Sequence, residues 1–219
     1  MERAPGSPAP AGPDAEVRHA TAVKCDIVGS TRIKRGLDMD GQLAFKRGLE
    51  GTINAVAARH AAYVERFEGD GALIFFGYPQ AREDAAESAV RLGLEIVETV
   101  RAARFVPNVT MQIRVGVASG PLAVVRHPQD EKGEPVAGLI IDMAERLRAS
   151  ADPDQVVICD ATKRLAGGFF EYDDLGMVTA KGFDEGVHAW RVVRESSIVS
   201  RFDAQRFDAS RGEIVGRTD

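Results

Sequence analysis

The strongest constraint on the fold of this chain is a pair of strand-like segments joined by a short acidic turn, in the sequence YVERFEGDGALIFFGYP at residues 63–79. In Tyr63–Phe67, aromatic or apolar residues alternate with charged ones, which is the two-residue period of a half-buried β-strand. Asp70 and Gly71 form an Asp-Gly pair that favours a tight hairpin turn, and an apolar run follows from Ala72 to Phe76. The segment therefore predicts a hairpin whose second strand is buried on both faces and whose turn carries an acidic side chain.

A second acidic residue stands at the end of another apolar segment. The sequence AVKCDIVGST at residues 22–31 predicts a strand that ends at Asp26, then a turn of small residues and a helix capped by Ser30 or Thr31. On its own, an acidic residue at a hairpin turn is more often a solvated turn residue. If this strand lies beside the hairpin, however, Asp26 and Asp70 meet at one edge of the sheet, where they repel each other unless a proton or cation lies between them.

Such a pair of carboxylates is the kind of site that Mg²⁺ accepts, usually with substrate phosphates as further ligands. The turn after Asp26 offers a place for those phosphates. The backbone amides of Gly29, Ser30 and Thr31 lie at the start of the predicted helix, where N–H groups without helical partners can bind phosphate oxygens. The two segments together therefore predict a metal–phosphate site.

Five segments of the chain resemble, in the same order, the catalytic domain of class III nucleotidyl cyclases, the adenylate/guanylate cyclase family. They are CDIVGST (25–31), EGDGALIFFGYP (68–79), RVGVASGPL (114–122), GLIIDMAERL (138–147) and AKGFDEGVHAWRV (180–192). One segment alone is a weak signal, but five in family order identify the fold. The resemblance implies that a ribose 3′-hydroxyl attacks the α-phosphate of a nucleoside triphosphate and that pyrophosphate leaves.

The resemblance also assigns roles to individual residues. It implies two Mg²⁺ or Mn²⁺ ions per site, held by Asp26, Asp70 and the carbonyl group of Ile27. Lys181 matches the lysine that holds the triphosphate, although a surface lysine is the plain alternative. Arg146 matches the arginine that stabilises charge on the α-phosphate, a role that suits a fixed planar guanidinium.

Four positions depart from the family pattern. Asp142 stands where the family usually has an asparagine that orients the ribose. Alternatively, Asp142 and Arg146, four residues later on the same helix, only form a stabilising salt bridge with each other. Arg66 and Pro135 stand where adenylate cyclases read adenine with a lysine and an aspartate or threonine. Proline has no side-chain hydrogen bond to offer, and arginine only donates, so it prefers carbonyl oxygens such as those of guanine or a pyrimidine. Lys24, two positions before Asp26, stands where the family usually has an apolar residue.

In the family, each active site is shared by two subunits, one supplying the metal aspartates and the other the base, ribose and transition-state residues. The resemblance therefore implies a homodimer with two sites. We expect a cyclase that converts a nucleoside triphosphate, with ATP as the first candidate, to a 3′,5′-cyclic nucleotide and pyrophosphate in signal transduction. The alternatives are a cyclase for a pyrimidine or guanine nucleotide, and a weakly active or inactive regulatory module that binds nucleotide or only dimerises.

The remaining sequence predicts long helices at Gly41–Ala61 and Ala81–Arg104, and a strand from Val109 that turns at Ser119–Pro121. The charged segment Arg126–Glu134 is predicted as a solvated loop or as an arm that reaches a partner subunit. The order of helices and strands indicates an α+β fold, a ferredoxin-like antiparallel sheet with helices on one face.

At 219 residues the chain holds one domain with tails. We expect a disordered leader at 1–17, a catalytic domain at 18–195 and a tail at 196–219, which is either a disordered charged segment or a linker to an ATPase domain. A net charge of −5 argues against binding to nucleic acid or anionic membranes. Two cysteines in apolar segments, without a membrane span or signal peptide, fit a cytoplasmic protein with buried free thiols.

Overall fold

The computed structural model of the chain describes residues 15–127, 130–180 and 183–197. The predicted leader up to residue 14, the predicted tail from residue 198, and Lys181 lie outside these ranges. The first strand begins at Ala15, so residues 15–17 belong to the sheet, although the sequence assigned them to the leader.

The described part of the chain contains eight strands, five α-helices and one short 3₁₀-helix at Gly167–Phe169. The strands are β1 (Ala15–Ile27), β2 (Tyr63–Glu68), β3 (Gly71–Phe76), β4 (Ile113–His127), β5 (Asp130–Ala137), β6 (Val156–Cys159), β7 (Phe170–Ala180) and β8 (Phe183–Glu195). The helices are α1 (Ser30–Arg35), α2 (Met39–Arg59), α3 (Ala85–Ala102), α4 (Leu139–Ser150) and α5 (Asp160–Ala166). The predicted hairpin is therefore β2 and β3, and the two predicted long helices are α2 and α3.

The strands form one sheet in the order β2-β3-β1-β4-β6-β8-β7, with β5 paired to the end of β4. The predicted α+β fold is confirmed. The sheet is mixed rather than purely antiparallel, because β4 and β6 pair in parallel. The chain crosses over between these two strands through α4, and a parallel pair requires such a crossover.

Helices cover both faces of the sheet, so the prediction of helices on one face was wrong. Along β1, Val23 and Cys25 face a core cluster with α2 and α3, while Ala20 and Ala22 face a second cluster with α4. The second face needs this cover because the central strands are apolar on both sides. All six residues of β3 are buried, as its continuous apolar run predicts. Both cysteines are buried and free, also as predicted.

Two segments predicted as irregular are strands. The predicted turn at Ser119–Pro121 lies inside β4, where Pro121 is paired with His19 of β1. Proline can occupy such a position because not every residue of an antiparallel strand donates its N–H to the same neighbour. The predicted loop Arg126–Glu134 contributes to the end of β4 and to β5, which pair with each other. Pairing along the whole length of β1 and β4 is a tertiary effect that local composition does not reveal.

A close approach at Gly71 brings the hairpin to the end of β1. Gly71 is paired with Asp26, and a Cβ atom on Gly71 would lie 2.0 Å from the carbonyl oxygen of Cys25. No side chain fits at that distance, so glycine is required where β3 begins. The hairpin turn, with Asp70, is thereby held next to Asp26.

Gly116 plays a similar role for α4, and this gives the first testable prediction. A Cβ atom there would lie 2.1 Å from the carbonyl oxygen of Ala144 and 2.3 Å from the backbone nitrogen of Arg148. Gly116→Ala should force α4 away from the sheet and lower the free energy of unfolding by about 1–3 kcal/mol in urea denaturation. Gly51→Ala is the control, since Gly51 lies in α2 and a Cβ atom on it would meet no atom within 4 Å. It should raise stability by about 0.5–1 kcal/mol, and equal effects of the two changes would contradict the close packing of α4.

Candidate active site

Asp26 and Asp70, which the sequence predicted to meet, do lie together at the end of β1. The backbone N–H of Ile27 donates to the carbonyl oxygen of Asp70 at 3.2 Å, which ties the hairpin turn to β1. Burial raises the pKa of the Asp26 carboxyl above its ordinary value, and the negative charge of Asp70 raises it further, whereas Arg148 opposes the rise. The negative charge of Asp70 thus disfavours ionisation of Asp26, and a cation between the two carboxylates would relieve this repulsion.

Each of these carboxylates already contacts a cationic side chain. Nη1 of Arg148, on α4, donates to Oδ2 of Asp26 at 2.9 Å. Lys34, on α1, forms an ion pair with Oδ1 of Asp70, and the hydroxyl group of Ser30 donates to Oδ2 of the same residue. Neither Arg148 nor Lys34 was predicted from the sequence to be part of the site.

The turn after β1 differs in detail from the predicted cap. Gly29, rather than Ser30 or Thr31, is the N-cap residue of α1, with a φ of 66° and no side-chain cap. Glycine tolerates this left-handed conformation, which lets the chain turn sharply out of β1. Ser30 is buried with its hydroxyl on Asp70, and Thr31 is exposed. A Cβ atom on Gly29 would meet no atom within 4 Å, so the space in front of this turn is open.

Asp142 and Arg146 lie on α4, but they do not form the salt bridge that their spacing allows. Asp142 is exposed in the first turn and Arg146 is half-buried. Within the described parts of the chain, neither has an ion pair with the other or with the two aspartates. Arg146 and Arg148 are two positions apart, which places them about 160° from each other around the helix axis. Because Arg148 faces Asp26, Arg146 faces away from the aspartates of its own chain.

Charged side chains also surround the predicted base-recognition residue Arg66. Its Nε atom donates to Oε1 of Glu68 at 2.6 Å, and Lys24, only 7% exposed, pairs with the other oxygen of Glu68. Burial opposes the ionised form of Glu68, but hydrogen bonds from Lys24 and Arg66 outweigh it and lower the pKa of this carboxyl. Pro135 is paired with Val124 at the β4–β5 ladder, and its side chain lies outside the described part of the structure.

The donor set at β1 fits a hard cation that arrives with its substrate. Within the described residues, no cluster of three or more His, Cys, Asp or Glu side chains is arranged to hold a metal ion. Asp26 and Asp70 supply carboxylate oxygens, and Mg²⁺ characteristically completes such a partial set with water and substrate phosphates. Because Arg148 and Lys34 already contact these carboxylates, a metal ion that binds here must compete with two side-chain cations.

Arg114 is a third residue that sequence reasoning did not find. It stands opposite Asp26 in the β1–β4 register, and its positive charge lowers the pKa of Asp26. Its Nε atom is buried and has no hydrogen-bond partner among the described residues. A long-range strand register brings Arg114 to the site, so the local sequence around it carries no signal of this role.

A sequence model of the adenylate and guanylate cyclase catalytic domain matches residues 15–193. The chain belongs to this family. Its fold is similar to the guanylate cyclase domain of RhGC from Catenaria anguillulae in complex with GTP, with a TM-score of 0.76 and 22% identity over 83% of this chain and 100% of that one. It is also similar to the adenylyl cyclase CyaB from P. aeruginosa, with a TM-score of 0.75 and 21% identity over 85% of this chain and 99% of that one.

Two curated relatives are longer proteins. An uncharacterized protein of Rhizobium meliloti is 30% identical over 204 residues, which are 92% of this chain and 20% of that protein. An uncharacterized protein of Mycobacterium tuberculosis is 32% identical over 139 residues, which are 60% of this chain and 24% of that protein. The cyclase chain thus spans about a fifth of the length of the first relative. No helix in the described ranges is both long and apolar enough to cross a membrane.

Proposed function

We propose that this cyclase domain converts a nucleoside triphosphate, with ATP as the expected substrate, to a 3′,5′-cyclic nucleotide and pyrophosphate, at a site formed by two copies of the chain. The observation that carries the proposal is the adjacency of Asp26 and Asp70 at the end of β1. Two acidic residues separated by more than forty positions in sequence are held together there by a glycine-dependent close approach.

In the proposed reaction, the ribose 3′-hydroxyl gives its proton to solvent and its oxygen forms a bond to the α-phosphorus, while the bond from that phosphorus to the leaving pyrophosphate breaks. Asp26, Asp70 and the carbonyl group of Ile27 would hold two Mg²⁺ or Mn²⁺ ions, which when bound supply hydroxyl activation and charge neutralisation. The backbone amides of Gly29, Ser30 and Thr31, together with Lys181, would bind the triphosphate. The open space in front of Gly29 supports this placement.

The remaining site residues are proposed to come from a second copy of the chain. Arg146 faces away from its own aspartates, so it is available to stabilise charge on the α-phosphate in a partner's site. Asp142, one helical turn before Arg146, is exposed, so it is accessible to a second copy of the chain as well.

The direct test is incubation of the purified protein with each of the four nucleoside triphosphates, with Mg²⁺ or Mn²⁺, followed by mass spectrometry of the products. The proposal predicts a cyclic mononucleotide and pyrophosphate in equal amounts, with ATP as the best substrate. A cyclic product from another triphosphate would support the cyclase but reassign its base. Absence of any cyclic product under all eight conditions would contradict the enzymatic proposal.

Two observations favour specific alternatives. Arg66 and Lys24 are both held by Glu68, so donors and an acceptor stand together where the base is expected, and this arrangement favours a base with carbonyl oxygens and N–H groups. The cations on Asp26 and Asp70, together with Asp142, favour a weakly active regulatory module, because metal binding must compete with them. The four-triphosphate experiment separates these alternatives from the ATP cyclase.

Asp142 provides a prediction about turnover. As the 3′-oxygen attacks, the α-phosphate gains negative charge, and a carboxylate at Asp142 neither donates a hydrogen bond to the ribose nor favours that charge. Removal of one hydrogen-bond donor that stabilises developing charge costs about 3 kcal/mol of transition-state stabilisation. The present change alters a side chain without deleting it, so we expect a smaller effect. Asp142→Asn should therefore raise kcat roughly three- to thirtyfold, with little change in KM. Steady-state kinetics of both proteins measure this, and an unchanged or lower kcat would mean that Asp142 is an adapted part of the site.

A further inference from the structure

We propose that Arg148 and Lys34 are built-in counter-cations of the two metal-binding carboxylates, so that the site binds divalent metal weakly alone and strongly only together with a nucleoside triphosphate. The inference rests on the proposed metal site at Asp26 and Asp70. It adds two positioning residues to that site and an order of binding that follows from their charges.

Arg148 is placed at Asp26 by the packing of α4. The close contact at Gly116 fixes the backbone of Arg148 against β4, next to the end of β1. Its side chain exposes only 16% of its surface and lies between two carboxylates, with Nη1 on Asp26 at 2.9 Å and Nε on Glu145 at 3.1 Å. A planar guanidinium with two carboxylate partners is a fixed cation rather than a mobile surface charge.

Lys34 occupies the equivalent place at Asp70. Its ammonium group contacts Oδ1, while the hydroxyl of Ser30 donates to Oδ2, so both oxygens of the carboxylate have donors. The side chain of Asp70 is only 16% exposed and that of Lys34 is 33% exposed. An ion that coordinates Asp70 therefore competes with these donors for the negative charge of the carboxylate.

The charges of the side chains around the end of β1 balance without any metal. The carboxylates are Asp26, Asp70 and Glu145, and the cations are Arg148, Lys34 and Arg114. A divalent ion that enters alone makes this half-buried set positive, which is costly at low local dielectric. A nucleoside triphosphate brings several negative charges with its metal, so joint binding restores the balance.

Arg148 also has a partner that remains when Asp26 turns to the metal. Nε and Nη2 both donate to Glu145, three residues earlier on the same helix, and Glu145 is 42% exposed. The guanidinium can thus give up Asp26 without being left buried and unpaired. This is why Arg148 can act as an exchangeable counter-cation rather than a permanent block.

The test is a titration of Mn²⁺ against the protein without nucleotide, with free Mn²⁺ measured by electron paramagnetic resonance. Arg148→Gln and Lys34→Gln should each raise Mn²⁺ affinity by on the order of tenfold, because each removes a charge-assisted competitor for one carboxylate. Arg148→Lys keeps the charge and should retain the weak binding of the wild type. Arg194→Gln is the matched control, since it removes a positive charge at an exposed position on β8, where Arg194 pairs with Glu171, and it should change nothing.

Combining Arg148→Gln with Asp26→Asn should remove the gain, because the released carboxylate is then absent. The proposal is overturned if Mn²⁺ affinity is unchanged in both Arg148→Gln and Lys34→Gln. It is also overturned if the gain of Arg148→Gln persists when Asp26→Asn is added, or if Arg194→Gln shows an equal gain. Circular dichroism checks that each variant is folded. The result for Lys34→Gln does not depend on the packing of α4, because Lys34 lies on α1. The titration needs no turnover, so a protein without cyclase activity can still show the predicted gain, and the two proposals can fail separately.

Discussion

Replacing Asp26 or Asp70 by asparagine is expected to abolish formation of the cyclic nucleotide while the fold is retained. Asparagine keeps the shape and one oxygen of each side chain but removes the negative charge that would hold divalent ions. Metal-derived stabilisation of a transition state is worth several kcal/mol, which corresponds to a fall in kcat on the order of a thousandfold or more. Product formation at saturating Mn²⁺ and triphosphate measures the effect.

The effect must be separated from a loss of structure, because each aspartate also holds a side-chain cation. Thermal unfolding followed by circular dichroism shows whether each variant remains folded. Asp40→Asn is the matched control, since it removes a carboxylate at an exposed position in the first turn of α2. It should retain near-wild-type turnover, whereas full turnover in either Asp26→Asn or Asp70→Asn would exclude the proposed metal site.

Mixing two inactive variants is expected to restore activity. Asp70→Asn disables the metal side of a site, and Arg146→Ala disables the side that the partner contributes, so each homodimer lacks both sites. A heterodimer has one site with both defects and one with neither. If subunits exchange freely at equal concentrations, half of the dimers are mixed, and about a quarter of the wild-type rate should return.

Differently tagged subunits allow the mixed dimers to be isolated and counted, so that the rate can be expressed per heterodimer. In the wild type, activity per subunit should also fall on dilution below the dimer dissociation constant, because a monomer has no complete site. If isolated heterodimers are as inactive as the two parents, a site shared between subunits is ruled out, whatever the activity of the wild type.

Much of the architecture could be predicted from local sequence. The two-residue period in Tyr63–Phe67 and the Asp-Gly turn predict the β2–β3 hairpin, and helical spacing predicts α2 and α3, because these signals depend on neighbours only a few residues away. Predictions were wrong where pairing partners decide the conformation. Ser119–Pro121 has the composition of a turn, yet it lies inside β4 because β1 continues alongside it.

The candidate site was likewise predictable from the sequence only in part. The sequence by itself determined that Asp26 ends an apolar strand and that Asp70 occupies a hairpin turn, so their meeting at one sheet edge followed once the strands were taken as neighbours. Only the tertiary structure decided which cations contact them. Arg148 reaches Asp26 because Gly116 lets α4 approach β4, and Arg114 reaches it through the β1–β4 register. These contacts join positions that are about ninety to a hundred and twenty residues apart in the sequence, and no local pattern encodes a distance between such positions.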